Sequence, residues 1–270
     1  MVNNNSSDDR PKIVMLGSGN VAGHLAIVLD KIGDVVQVYS PTIDHATQLA
    51  GKLRNATPVS NANDITDNAD FYIIAVKDDA IGELARKIDI DSGIWAHTSG
   101  SVPMSVFEGV KSSYGVFYML QTFNKCDDVD FKNLPILIEG NDAGTENLLV
   151  SLALKISSEV KRTSSDDRAV IHRAAVFACN FSNYMWCIAD DILKTKGFDL
   201  KLLEPLLNTT LKNALNSSPY NSQTGPARRG DRLVMEKHQS LLDRDQVEVY
   251  KLLSNQIFER FNSSTNEQNK

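Results

Sequence analysis

Short apolar runs alternate with amphipathic stretches through the first half of the chain and a little beyond. Residues 12–16 form an apolar run of strand length, and 20–32 carry helical spacing. Residues 35–39 are β-branched and aromatic, which suits a strand, and 43–53 suit a helix. The run 71–76 predicts another strand, and 80–88 a helix after it. A short run at 94–96 leads into His97-Thr98-Ser99-Gly100. Further strands are predicted over 115–118, 135–139 and 159–162, with a helix at 145–156 between the last two. Strands separated by helix-length segments imply βαβ units and a mainly parallel sheet.

The pattern changes at Ser164-Ser165-Asp166-Asp167, which reads as a helix cap with early negative charge. No strand-like run follows it. Residues 166–193 read as one long helix, ended by Lys194, Lys196 and Gly197. Helices are also predicted over 200–215, 233–242 and 247–261, with an irregular loop at 217–231. The expected organisation is a leader (1–10), an α/β domain (11–163), an all-α domain (164–262) and a tail (263–270). Leader and tail are polar enough to predict disorder.

Composition narrows the classes without naming one. A net charge of −6 argues against a protein that mainly grips nucleic acid or an anionic membrane, since both need a basic face. The N-terminus lacks an apolar stretch, so no signal peptide is read there and the cytoplasm is the expected location. Cys126, Cys179 and Cys187 have no C-x-x-C spacing and are expected as reduced thiols. The longest apolar stretch, 169–188, is broken by His172, Arg173, Asn180, Ser182 and Asn183, so it predicts a buried helix rather than a membrane span. It is apolar on most sides. A homodimer joined through the C-terminal helices would cover it.

The segment Gly17-Ser18-Gly19-Asn20-Val21-Ala22 is a G-x-G-x-x-A loop between an apolar strand and a helix. Gly17 permits the tight turn, Gly19 lets a pyrophosphate approach the backbone, and Ala22 lets the helix lie close to the strand. The free N–H groups of that helix face the phosphates. In this context the loop predicts a doubly wound Rossmann sheet that binds a nicotinamide dinucleotide. The second strand ends in Tyr39-Ser40-Pro41-Thr42, without the acid that would hold a ribose 2′-hydroxyl and repel a 2′-phosphate. Ser40 and Thr42 offer hydroxyls there, and His45 could add positive charge. NADP is therefore favoured, with NAD the alternative, because no arginine is present and Asp44 is close.

Other candidates follow from placement. Val76 and Lys77 lie at the end of the strand at 71–76, where ligands of doubly wound sheets bind. Asp78 and Asp79 read as charges on a solvated turn. His97, Thr98 and Ser99 follow the next strand and should border the nicotinamide. On the long helix His172, Cys179, Asn183 and Asp190 fall on nearly one line at 100° per residue, flanked by Val176 and Asn180. That stripe either faces the cofactor or forms an internal hydrogen-bond network. In the loop at 217–231, Thr224-Gly225-Pro226 and Arg228-Arg229-Gly230-Asp231 suggest a substrate clamp through Arg229, or a loop simply pinned in place. No metal-ligand spacing is present.

Several stretches together resemble the bacterial Rossmann-like proteins whose C-terminal half is the domain of unknown function 2520. They are Gly17–Ala22, Ala75-Val76-Lys77-Asp78, His97 to Ser101, Gly115-Val116-Phe117-Tyr118 with Gln121-Thr122-Phe123, and Thr224-Gly225-Pro226 with Arg229-Gly230-Asp231. Such proteins are grouped with NADP oxidoreductases through similarity to pyrroline-5-carboxylate reductase and the deazaflavin-dependent NADP reductases. The resemblance implies a helical C-terminal domain of the 6-phosphogluconate-dehydrogenase type and dimerisation through it, but no substrate. Two departures stand out. Pro41 occupies the place where related NADP enzymes carry arginine. No lysine lies between Asp166 and Leu193, which argues against the lysine-assisted chemistry of β-hydroxyacid dehydrogenases. The leading expectation is hydride transfer between NADP(H) and a small carbonyl or imine in an interdomain cleft, with His97, His172, Asn180 and Asn183 as catalytic candidates. The rival is a non-catalytic dinucleotide-binding redox sensor.

Overall fold

Strand β1 (Lys12–Leu16) is the hub of the first unit of the structure. Side chains from both of its faces are buried: Ile13 and Met15 enter one core, Val14 and Leu16 the other. A strand buried on both sides must be apolar throughout, which is why this run lacks alternation. The structure, a computed structural model, describes residues 10–125 and 128–262. From β1 the chain passes through α1 (Asn20–Ile32) to β2 (Asp34–Tyr39) and α2 (Ile43–Ala50). Then follow β3 (Thr57–Val59), β4 (Phe71–Ile74), α3 (Asp78–Lys87), β5 (Ile94–His97) and β6 (Tyr114–Met119). Last come β7 (Ile136–Gly140), α4 (Ala143–Leu154) and β8 (Val160–Arg162).

The eight strands lie in the order β3-β2-β1-β4-β5-β6-β7-β8. All neighbours pair parallel except β6 with β7, which run antiparallel. The chain leaves β1 toward one side of the sheet and returns through β4 on the other, which opens a crevice at the carboxyl ends of β1 and β4. This is the doubly wound arrangement expected from the sequence. The expected pattern omitted β3. Three residues around Pro58 carry no periodic signal, and proline is tolerated there because β3 is an edge strand. The expectations for the leader, the tail and Cys126 fall outside the described residues, with one exception. Arg10, assigned to the leader, is held in place, its Nε 3.0 Å from the Asp34 carboxylate.

Helix α5 (Ser165–Ala175) is capped by the Ser164 side chain, which accepts from the Asp167 N–H. Its Arg168 is fully buried and donates to the Glu139 carboxylate on β7 at 2.5 Å and to the Val102 carbonyl at 2.6 Å. These bonds tie α5 to the sheet, so the division into two compact units falls after Val176, one helix beyond the change in sequence pattern. The single helix expected over 166–193 is interrupted. A π-helical segment (Val176–Phe181) separates α5 from α6 (Ser182–Lys194). A π-turn holds more residues than an α-turn, so the 100° count that aligned His172 with Cys179, Asn183 and Asp190 does not carry through.

The second unit, from Phe177 onward, contains α6, α7 (Glu204–Asn216), α10 (Arg232–Gln239) and α11 (Arg244–Asn262). The loop expected at 217–231 holds two single helical turns, α8 (Pro219–Ser222) and α9 (Pro226–Arg229), each started by a proline in its first turn. The buried helix expected over 169–188 is not buried within one chain: Phe177 is 70 % exposed and Tyr184 55 %. Cys179 and Cys187 are free and exposed. Among the described residues, no helix is long and apolar enough to cross a membrane.

Candidate active site

At β1 the backbone turns sharply. Gly17 has φ +132°, and a Cβ there would fall 2.2 Å from the Ala75 carbonyl oxygen, so the turn requires glycine. Gly19 differs. Its φ of −73° suits any residue, and a Cβ placed on it meets nothing within 4 Å. What Gly19 preserves is open space above the first turn of α1, whose free N–H groups point into it. That space belongs to a cleft of about 920 Å³ along the carboxyl ends of β2, β1, β4, β5 and β6.

Each strand end contributes to the cleft. From the β1 loop come Gly17, Ser18, Gly19, Asn20 and Val21. Ser40 comes from β2, Val76 and Lys77 from β4, Thr98 and Ser99 from β5, Tyr118 from β6 and His172 from α5. The Ser18 hydroxyl donates to that of Ser40 at 3.1 Å, joining the glycine loop to the tip of β2. The structure thus brings together most of the residues expected at a cofactor site. Thr42 is the exception. It is exposed as the N-cap of α2 and does not line the cleft, because Pro41 carries the chain away from the strand end. Asp78, expected on a solvated turn, lines the cleft and accepts a bond from the Ser101 hydroxyl.

His97 is not at the cleft surface. It is fully buried as the last residue of β5, and its Nδ1 accepts from the Ser99 N–H at 3.2 Å. Its imidazole therefore shapes the loop that presents Thr98 and Ser99. Burial, and secondarily the positive charge of Arg168, pushes its pKa down to about 4. The imidazole stays neutral in the folded chain, whereas in the unfolded chain it takes up a proton as pH falls through its ordinary value of 6.5. Stability from this group is fully present above pH 6.5 and is lost progressively toward pH 4, by about 3 kcal/mol. Urea unfolding at pH 7.5, 5.5 and 4.5 should show that decline in the wild type. His97→Asn, which keeps an acceptor for Ser99, should flatten it, and an equal decline in the variant would exclude His97 as the cause.

The cleft's chemistry gathers at Tyr118 and His172. The Tyr118 hydroxyl lies 3.1 Å from His172 Nδ1, with the rings edge to face. Gly100 makes the pair possible. A Cβ there would lie 2.6 Å from His172 Nδ1 and 2.8 Å from the Tyr118 ring. Sequence reasoning placed His172 at the site but gave Tyr118 no role, although the rule that ligands bind beyond parallel strand ends applies to β6 as well. A phenol bonded to an imidazole can give a proton to an oxygen or nitrogen and be resupplied by its neighbour.

The remaining candidates belong to the second unit. Asn180 and Asn183 are exposed on the π-segment and on α6. Thr224, Gly225 and Pro226 line an apolar cavity of about 580 Å³. Arg229, expected as a substrate clamp, is exposed and does not line it. Its neighbour Arg228 stacks on the Phe261 ring at 4.7 Å, and the Asn262 side chain donates to the Arg228 carbonyl. These contacts pin the loop to α11.

Two family models match successive parts of the chain. Residues 12–97 match the family model described as NADP oxidoreductase, coenzyme F420-dependent, and 134–257 match the domain of unknown function 2520. A Bacteroides fragilis protein called a "putative NADP oxidoreductase" is 37 % identical, with 94 % of this chain and all of that one covered and a TM-score of 0.88. A Thermotoga maritima protein shares the fold at 21 % identity, with 92 % and 99 % covered and a TM-score of 0.69. So does a reductive aminase from Aspergillus terreus, at 15 % identity, with 92 % of each chain covered and a TM-score of 0.70. No curated protein matches the sequence. The chain belongs to the oxidoreductase family that joins a Rossmann domain of the NADP oxidoreductase type to a C-terminal domain of unknown function 2520.

Proposed function

We propose that this protein binds NADP(H) in the cleft of its first unit and reduces a small carbonyl or imine, with Tyr118 as the proton donor. The observation that carries the reading is the continuity of the cleft, which runs from the glycine loop to the Tyr118–His172 pair. The residues fit a dinucleotide. Gly19 keeps open the space that a pyrophosphate would occupy, the α1 N–H groups face it, and Ala75, Val76 and Leu84 give apolar wall. The absence of an acid after Ser40 fits NADP better than NAD. The Aspergillus terreus reductive aminase of the same fold is known in complex with NADPH and a keto ester, which supports the same reading.

The bound reduced cofactor would supply a hydride. The chain's own part is to hold and to protonate. Backbone N–H groups of the glycine loop bind phosphate oxygens, Lys77 adds a cation at the cleft wall, and Thr98 and Ser99 offer hydroxyls beyond β5. Tyr118 gives its proton to the substrate oxygen or nitrogen, and His172 bonds the phenol and resupplies it. NADPH should raise the melting temperature more than NADH at equal concentration. It should also be oxidised with at least one member of a panel of ketones, keto acids and cyclic imines. Binding without turnover across the panel would favour the sensor.

A second copy of the chain is the partner we infer for the second unit. Phe177, Tyr184, Leu206, Leu215 and Leu233 are all more than half exposed in one chain, and apolar surface on this scale favours association. Light scattering at micromolar concentration should give twice the chain mass of 29.8 kDa; a monomer's mass would refute the dimer.

A further inference from the structure

Helix α5, which carries His172, rests on the sheet through a polar network. Its buried residue is Arg168, and its half-buried Ile171 packs against the cluster of Val116, Tyr118 and Leu137. The Arg168 guanidinium donates to the Glu139 carboxylate, to the Val102 carbonyl and, at 3.2 Å, to the Ser165 hydroxyl. Glu139 also accepts from the Ser165 N–H at 2.9 Å and from the Ser165 hydroxyl at 2.7 Å. That hydroxyl accepts in turn from the Met104 N–H at 3.0 Å. One buried cluster thereby joins β7, the first turn of α5 and the far end of loop 98–104.

A buried ion pair adds little net stability, because desolvation of both charges offsets their attraction. What this pair supplies is direction, since a guanidinium bonded on two sides fixes a helix more narrowly than apolar packing does. His172 lies one turn beyond Arg168 on the same helix face. Glu139 pairs with Val116 across β6 and β7, two residues before Tyr118 and therefore on the same face of the sheet. The Tyr118–His172 separation of 3.1 Å is close to the limit of about 3.2 Å for hydrogen-bond reach, so a small shift of α5 would part the two. We propose that Arg168 and Glu139 are positioning residues, which fix α5 so that His172 Nδ1 meets the Tyr118 hydroxyl. This rests on the function proposed above and adds the device that holds its proton supply in register. The cofactor side of the loop has anchors of its own: the Thr98 N–H donates to the Ile74 carbonyl and the Ser99 N–H to His97. Loss of the pair therefore acts on kcat and not on cofactor binding.

Arg168→Met/Glu139→Gln tests this in the full chain, because it removes both charges together and strands neither. kcat should fall by about tenfold, the loss expected for His172→Gln itself. NADPH affinity by calorimetry should hold within about twofold, which also shows that the variant is folded. Added to His172→Gln, the same change should cost nothing further, because both remove one contact. A second readout needs no turnover. The ring-nitrogen resonances of His172, assigned with isotope-labelled histidine and His172→Gln, should move in Tyr118→Phe, and Arg168→Met/Glu139→Gln should move them likewise. Arg168→Lys keeps the charge but not the fork, so it should move them part of the way, and it decides the matter where the double variant does not fold. Wild-type resonances and kcat in these variants, or losses that add to that of His172→Gln, would overturn the positioning role. Should the wild type turn over no substrate while the resonances move as stated, the positioning stands and the proposed function falls.

Discussion

Gly19→Val is expected to abolish dinucleotide binding while leaving the fold and melting temperature of the free protein nearly unchanged. The two halves of this result have separate causes. Gly19 has an ordinary φ, and beyond its chain neighbours nothing lies within 4 Å of its would-be Cβ, so a side chain there is expected to leave the backbone unstrained. The same emptiness is where a pyrophosphate must approach the backbone, and valine methyls would fill it. Loss of affinity by about a thousandfold or more is expected, because the phosphates lose several N–H contacts at once. Calorimetric titration with NADPH, beside a thermal melt without ligand, measures both. Unchanged affinity would mean that the loop is not the phosphate cradle. The neighbouring glycine gives a contrast. At Gly17 a Cβ would collide with the Ala75 carbonyl, so Gly17→Val should damage the fold itself.

Tyr118→Phe is expected to lower kcat by about 10³, near 4 kcal/mol of barrier, with little change in NADPH affinity. The phenol lies where the glycine-loop cleft ends, and its hydroxyl bonds His172. Phenylalanine keeps the ring and its packing but removes the proton. His172→Gln should cost less, about tenfold, because the phenol retains its own proton and loses only its resupply. A Tyr118→Phe enzyme within threefold of wild type would remove Tyr118 from the chemistry and leave it a packing residue of β6.

The sequence by itself determined seven of the eight strands and the glycine loop. Both are written in local terms: apolar runs of strand length, a helix period after each, and Gly17 and Gly19 at the junction, where backbone geometry admits few alternatives. Composition and spacing were enough to place Ser18, Ser40, Val76, Lys77, Thr98 and Ser99 on one rim, because parallel strands end on the same side. Tertiary structure decided what depends on distance across the chain. His97 and His172 look alike in sequence, yet burial beneath the Ser99 loop neutralises the first, while α5 carries the second to Tyr118. Periodicity could not reveal the π-segment at Val176–Phe181, since it changes the period on which the reading depends. The groove lined by Ser18, His45 and Lys52 draws on both α1 and α2. A single sequence shows which face each helix offers, and only the folded chain shows which faces meet.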